Sequence, residues 1–223
     1  MSENPQVLTR ALESTLATNS VIRNTYILLS LTLLLSALTA GVAMATNAPM
    51  LNVWLVLGGY FGLLFATHLL RNSAWGLLTV FALTGFMGYT LGPMLNAYIG
   101  HYANGTQLVA YALGGTGVIF IGLSTYALTT RKDFSFMGGF LMAGILIAFL
   151  AGIANIFFAM PALSLVVSTM FMFLMCGLIL YETSNLVHGG ETNYIMATVS
   201  LYVTIYNLFT SLLHILGVFG GDD

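Results

Sequence analysis

The stretch CGLILYETSNLVHGGETNYIMATVSLYVTIYNLF, Cys176 to Phe209, decides the fold. An apolar run ends just past Glu182, a polar turn with two glycines follows, and a second apolar run starts at Tyr194. The turn is too short to hold more than a reversal. Each run, traced outward, is about 25 residues long, enough to cross a hydrocarbon core of about 30 Å as a helix. The pair therefore reads as two antiparallel membrane spans.

The rest of the chain repeats that pattern. Of 223 residues, 58% are hydrophobic and only 5% charged, where a soluble domain carries roughly 25% charged residues. So few charges cannot cover a water-facing surface. Apolar runs are read at Asn24–Thr46, Leu51–Leu70, Trp75–Tyr98, Gln107–Thr129, Phe134–Phe158, Ala162–Leu186 and Tyr194–Val218. The breaks between them are short turns. The expected architecture is all-α: a polytopic membrane protein with a bundle of seven transmembrane helices over residues 24–218. Residues 1–23 form an N-terminal tail and 219–223 a short acidic C-terminal tail. Val7, Leu8, Ala11, Leu12 and Leu16 lie at helical spacing behind Asn4-Pro5, a good helix start. This tail reads either as a short helix on the membrane surface or as a mobile segment. Ala43-Met44-Ala45 looks like a signal-peptide cleavage site. The run before it is about twice the length of a signal h-region and its leader is polar, so a true span is expected.

The cations orient the chain. Arg10 and Arg23 precede the first span, Arg71 follows the second, and Arg131 and Lys132 follow the fourth; no other Lys or Arg exists. With seven spans all five fall on one side. The positive-inside rule places that side, and the N-terminus, in the cytoplasm. The C-terminus, with Asp222 and Asp223, is then on the outer side.

Within the spans, small residues recur at packing distance: Gly58 and Gly62, Gly88 and Gly92, and the stripe Gly144, Ala148, Ala151, Asn155. Such stripes let helix backbones approach closely in lipid. Gly92-Pro93 is expected to bend or end the third helix. On the last span Ser200, Thr204, Asn207, Ser211 and His214 share one face, which must turn inward because lipid penalises it. Two readings stand: a wall of a watered path, or hydrogen-bonding glue between helices. Glu182 lies about 6 Å inside the end of the sixth span. A carboxylate there is protonated, paired or watered. Its candidate ion-pair partners are Arg23, Arg71 and Arg131.

Several classes are excluded. No Gly-x-Ser-x-Gly, His-Glu-x-x-His or phosphate-loop pattern is present, so no catalytic residues and no cofactor are assigned. His188 with Glu182 and Glu191 matches no defensible metal spacing. A retinal pigment needs a lysine in the last span, and the one lysine, Lys132, lies in a loop. A net charge of −2 gives no case for nucleic acid. The single cysteine, Cys176, excludes an intrachain disulfide.

Three segments carry a family resemblance. RNTYILLSLTLLLSALTA (Arg23–Ala40), TGFMGYTLGPMLNAY (Thr84–Tyr98) and YETSNLVHGGETNYIMATVSLYVTIYNLF (Tyr181–Phe209) resemble the first, third, and sixth and seventh helices of the Bax inhibitor-1 family. LTTRKDFSFMGG (Leu128–Gly139) and HGGETNYI (His188–Ile195) are similar to its proteobacterial branch. The resemblance implies a seven-helix protein of the bacterial inner membrane with a cytoplasmic N-terminus. Members of that branch associate with the membrane protease FtsH and its HflK/HflC partners and restrain proteolysis of membrane proteins. Other members are pH-sensitive calcium leak channels, gated by two aspartates on helices six and seven. By position those aspartates match Glu182 and Thr204. The seventh-helix pattern Leu-Tyr-Leu-Asp-Phe-Ile-Asn-Leu-Phe reads LYVTIYNLF here. One carboxylate and one hydroxyl cannot titrate as a coupled pair, and calcium prefers several oxygens, some charged. A cation path gated near Glu182 and lined by Ser200, Thr204, Asn207 and Ser211 is the alternative to modulation of the protease.

Overall fold

The computed structural model describes residues 5–221, with side chains from Thr18 onward. Seven long α-helices account for nearly all of them: α1 Pro5–Ala45, α2 Val53–Leu70, α3 Ala74–His101, α4 Gly105–Thr130, α5 Gly138–Phe158, α6 Pro161–Val187 and α7 Tyr194–Gly220. One 3-10 turn, Ser135–Met137, precedes α5, and the described residues contain no strand. All seven helices are long and apolar enough to cross a membrane. The expected bounds hold to within a few residues at most ends because polar turns delimit them. Asn52 caps α2 by accepting from the Trp54 N–H, and Asn193 caps α7 by accepting from those of Ile195 and Met196. Pro161 opens α6, where its missing N–H is not needed.

Two expectations change. The first helix does not begin near Arg23: α1 runs unbroken from Pro5 to Ala45, about 60 Å, roughly twice the hydrocarbon thickness. From Pro5 the segment read as a separate tail is thus the same helix. The side chains of its apolar stripe, Val7 to Leu16, lie outside the described residues, as does the acidic pair Asp222-Asp223. The second concerns Gly92-Pro93, where of the two outcomes, a bend or an end, the end does not occur. Pro93 is buried inside α3, which continues to His101. The Asn96 side-chain amide donates to the Met44 carbonyl at the end of α1, 3.0 Å away, fastening this part of α3 to its neighbour.

Packing follows the small residues where a partner exists. Gly88 and Gly92 of α3 lie against the backbone of α1 at Ser36 and Ala40, so close that a Cβ at either position would collide. Gly144 of α5 faces Leu174 of α6, and Gly152 faces Val167. Gly58 and Gly62 meet nothing and are exposed on α2. The most buried span is α7, which packs on α1, α3, α4 and α6; α2 leans on α3 and α5 on α6. The core therefore centres on α7, with residues such as Leu201, Tyr202, Leu208 and Leu213 fully buried. Outward faces of α2 and α5 are apolar and exposed, as lipid requires: Leu55, Phe65, Ile147 and Leu150 are examples.

The cation-bearing connections meet at one end of the bundle. Asn193, before α7, donates to the Arg71 carbonyl in the α2–α3 link at 3.0 Å. The Ser184 hydroxyl near the end of α6 donates to the Lys132 carbonyl in the α4–α5 link, and the Phe134 N–H donates back to it. His188 closes the same junction. Its Nδ1 lies 2.8 Å from the Ser184 carbonyl and its Nε2 3.1 Å from that of Arg131. The α2–α3, α4–α5 and α6–α7 links are thus one hydrogen-bonded cap, and it holds Arg71, Arg131 and Lys132.

Candidate functional site

Below that cap Glu182 meets α7. It lies five residues, about 7.5 Å, inside the end of α6. Its Oε1 accepts from the Ser200 hydroxyl at 2.5 Å. The Thr204 hydroxyl donates to both carboxylate oxygens, 3.1 Å to each. Ser200 and Thr204 are one turn apart on α7, so the periodicity of the helix presents both hydroxyls to one carboxylate. Arg23, Arg71 and Arg131, the expected partners, make no ion pair with it among the described residues. The physical reason is position. Arg23 and Arg131 are exposed at the capped end of the bundle, and Arg71 is in the α2–α3 link, whereas Glu182 lies inside the helix layer. Hydroxyls take the place of cations.

Glu182, Ser200, Thr204 and Asn207 share the wall of a cavity of about 760 Å³ between α2, α3, α5, α6 and α7. The Asn207 amide nitrogen donates to the Val203 carbonyl of its own helix at 2.8 Å, leaving its side-chain oxygen as an acceptor. Most of the remaining wall is apolar, with Tyr60, Phe61, Phe149 and Met175 among its residues.

The polar face of α7 does not form one continuous path. Ser211 is buried and absent from the cavity wall. Towards the far end, His214 joins α7 to α6: Ser168 Oγ lies 2.9 Å from Nδ1 and Ser164 Oγ 3.3 Å from Nε2. One half of the face is thus a cavity wall and the other half interhelical glue. Asn155, which the spacing places on the α5 packing stripe, caps the end of that helix, accepting from the Met160 N–H at 3.0 Å.

Several contributors lie outside the residues that the sequence singles out for this site. Asn185 and Glu191 join the cavity wall at its capped end. Tyr206 and Thr90, 3.3 Å apart, join α7 to α3 beside it. Tyr202 bonds Ser36 of α1 at 2.7 Å and donates to the Thr84 carbonyl of α3. Tyr202 and Tyr206 sit one turn apart in LYVTIYNLF, and that spacing is the signal that could have flagged them. His188 and Glu191 do not assemble with Glu182 into a metal site: no group of three potential ligands occurs among the described residues.

Fold and site define a seven-span helical membrane protein with a single hydroxyl-bonded carboxylate inside its bundle. Residues 18–221 match the family described as inhibitor of apoptosis-promoting Bax1. Over 209 residues, 94% of each chain, the protein is 52% identical to the modulator of FtsH protease YccA of Escherichia coli K12. It is 51% identical over 223 residues, all of both chains, to an uncharacterized protein of Pseudomonas aeruginosa. An uncharacterized membrane protein of Vibrio cholerae is 46% identical over 216 residues, 96% of each chain. The chain belongs to the Bax inhibitor-1 family, and it is a multi-pass inner-membrane protein.

Proposed function

We propose that this protein binds the membrane protease FtsH and restrains its proteolysis of membrane proteins. The observation that carries the reading is the 52% identity to an FtsH modulator across 94% of both chains. At 94% coverage the matched span takes in the seven helices together with the links between them, and a partner surface draws on such links. The orientation that fits has α1 starting in the cytoplasm. The hydrogen-bonded cap at Arg71, Arg131, Lys132 and His188 then faces the cytoplasm too, the side favoured by the positive-inside rule. HflK and HflC belong to the proposed assembly through the same branch resemblance.

The test is purification of tagged full-length protein from native membranes in mild detergent, paired with turnover of a membrane-protein substrate during overexpression. Retention of FtsH and slower substrate loss are expected. If FtsH is absent from the purified material and turnover is unchanged, the reading fails.

A second reading, a cation leak, has one observation in its favour: a carboxylate on the wall of a cavity that reaches Thr204 and Asn207. Against it, Thr204 supplies a neutral oxygen where a second acid would be needed to bind calcium well. Calcium flux into liposomes against pH tests it. Flux equal to that of empty vesicles, for the wild type and Glu182→Gln alike, removes the leak reading.

A further inference from the structure

The cavity beside Glu182 is open sideways, towards lipid. Helices α2 and α5 flank it, yet they touch at little more than the edge contact of Phe61 with Phe149, ring centroids 6.1 Å apart. Residues on both sides of this gap, Phe61, Met142 and Leu146, line the cavity and are also exposed. An apolar chain in the bilayer can therefore enter between α2 and α5 without crossing a polar barrier.

The inner end is chemically different. Among the described residues the cavity wall holds two carboxylates, Glu182 and Glu191, and no Lys, Arg or His. Glu191 already accepts from the Asn193 N–H through its Oε1. Glu182 has hydroxyl partners but no countercharge, and its Oε2 accepts only from Thr204. One turn along α7 from Thr204, on the same wall, the Asn207 side-chain oxygen is a further acceptor. A carboxylate at membrane depth is stabilised most by a cation that can also donate hydrogen bonds. The end of the cavity thus asks for a compact positive donor, and its walls ask for hydrocarbon.

Volume decides between a lipid-like chain and a protein segment. A helix about 10 Å across fills 760 Å³ in about 10 Å of its length, under two turns. Two turns do not span a leaflet. The space lies instead in the range of small-molecule pockets, about 300–1,000 Å³.

We propose that this cavity is a binding site for a single-chain amphiphile with an ammonium head, which enters between α2 and α5 and places its ammonium on Glu182 and Asn207. An ammonium brings three donors, and Glu182 Oε2, the Thr204 hydroxyl oxygen bonded to it and the Asn207 oxygen one turn further along α7 are the acceptors offered by the same wall. This assignment is independent of any protein partner.

The experiment uses full-length protein in phosphatidylcholine nanodiscs and radiolabelled dodecylamine at neutral pH, counted against empty nanodiscs. One saturable site above the empty-disc background is expected. Dodecanoic acid and dodecanol of the same length should fail to displace it. Glu182→Gln, which keeps the side chain's shape, should weaken binding about tenfold or more, the scale of one lost charged hydrogen bond. Leu146→Trp, at the lipid-facing gap and away from the carboxylate, should weaken it by narrowing the entrance while leaving the fold intact. Lysophosphatidylethanolamine distinguishes the sources: displacement assigns the ammonium to a lipid headgroup, and its failure assigns it to a free amine. Absence of a saturable excess overturns the proposal. So does equal displacement by dodecanoic acid, unchanged affinity in Glu182→Gln, or preferential occupation by a transmembrane peptide bearing one lysine.

Discussion

At the scale of single residues, Glu182 shows how a bundle in lipid holds a carboxylate without a cation. Three hydrogen bonds from two hydroxyls replace part of the water the group would otherwise need. Thr204→Val keeps the shape and removes the donor to both oxygens, so it should destabilise the bundle by about 1–3 kcal/mol. Ser200→Ala should cost less because Ser200 bonds one oxygen only. Reversible unfolding in mixed micelles measures both, and a Thr204→Val protein as stable as wild type would show that water already does the work. Asp133 behaves differently because it is outside the membrane. The Ser135 N–H, 2.8 Å from its carboxylate, holds it below the usual carboxylate range, with nearby His188 adding to the effect. A group lowered in the folded state contributes its support above its unfolded value and loses it as pH falls through the folded one. The α4–α5 link should therefore hold at neutral pH, and the protection of its amides, taken relative to the intrinsic exchange rate at each pH, should fall as pH drops into the carboxylate range. Asp133→Asn should lower that protection at neutral pH and flatten its dependence on pH.

At the scale of helices, glycine has opposite meanings on α2 and α3. Gly88 sits against the Ser36 carbonyl and the Thr39 side chain of α1, where a Cβ has no room. Gly58 faces open space on the lipid side. Gly88→Val should force α1 and α3 apart and lower the thermal midpoint clearly. Gly58→Ala should be neutral or raise stability by up to about 1 kcal/mol through helix propensity. Melting curves of the two variants side by side check this, and equal destabilisation would mean that α2 packs on something at Gly58. Both glycine pairs look alike in the sequence. Spacing reveals that a helix can be approached closely, but not whether anything approaches it. The seven spans were legible for the opposite reason: an apolar run flanked by polar turns needs no partner to be recognised. The extension of α1 to Pro5 was not, because its apolar stripe is weak and nothing separates it from the span. The hydroxyl partners of Glu182 lie 18 and 22 residues away, across a turn whose geometry sets which faces meet. The stripe on α7 was visible, yet its division into a cavity wall at Thr204 and a glue at His214 depends on where α2 and α5 leave a gap.

At the scale of the whole molecule, the two ends of the bundle are chemically unequal, and that inequality makes its orientation testable. One end carries Arg71, Arg131 and Lys132 on links tied to each other through Asn193, Ser184 and His188. The other end holds His101 and the short turn at Met160-Pro161. Moving cationic links across an energised membrane is unfavourable, so the capped end should stay in the cytoplasm. Cys176 is half-buried and is the one cysteine in the chain, so Cys176→Ser gives a clean background. In it, Lys132→Cys should resist a membrane-impermeant maleimide in intact cells and label only after lysis. His101→Cys, exposed at the opposite end, should label in intact cells. The reverse pattern would place the cap outside the cytoplasm. It would also separate the cap from any cytoplasmic domain of a membrane protease, so the proposed restraint would then have to act through the spans themselves.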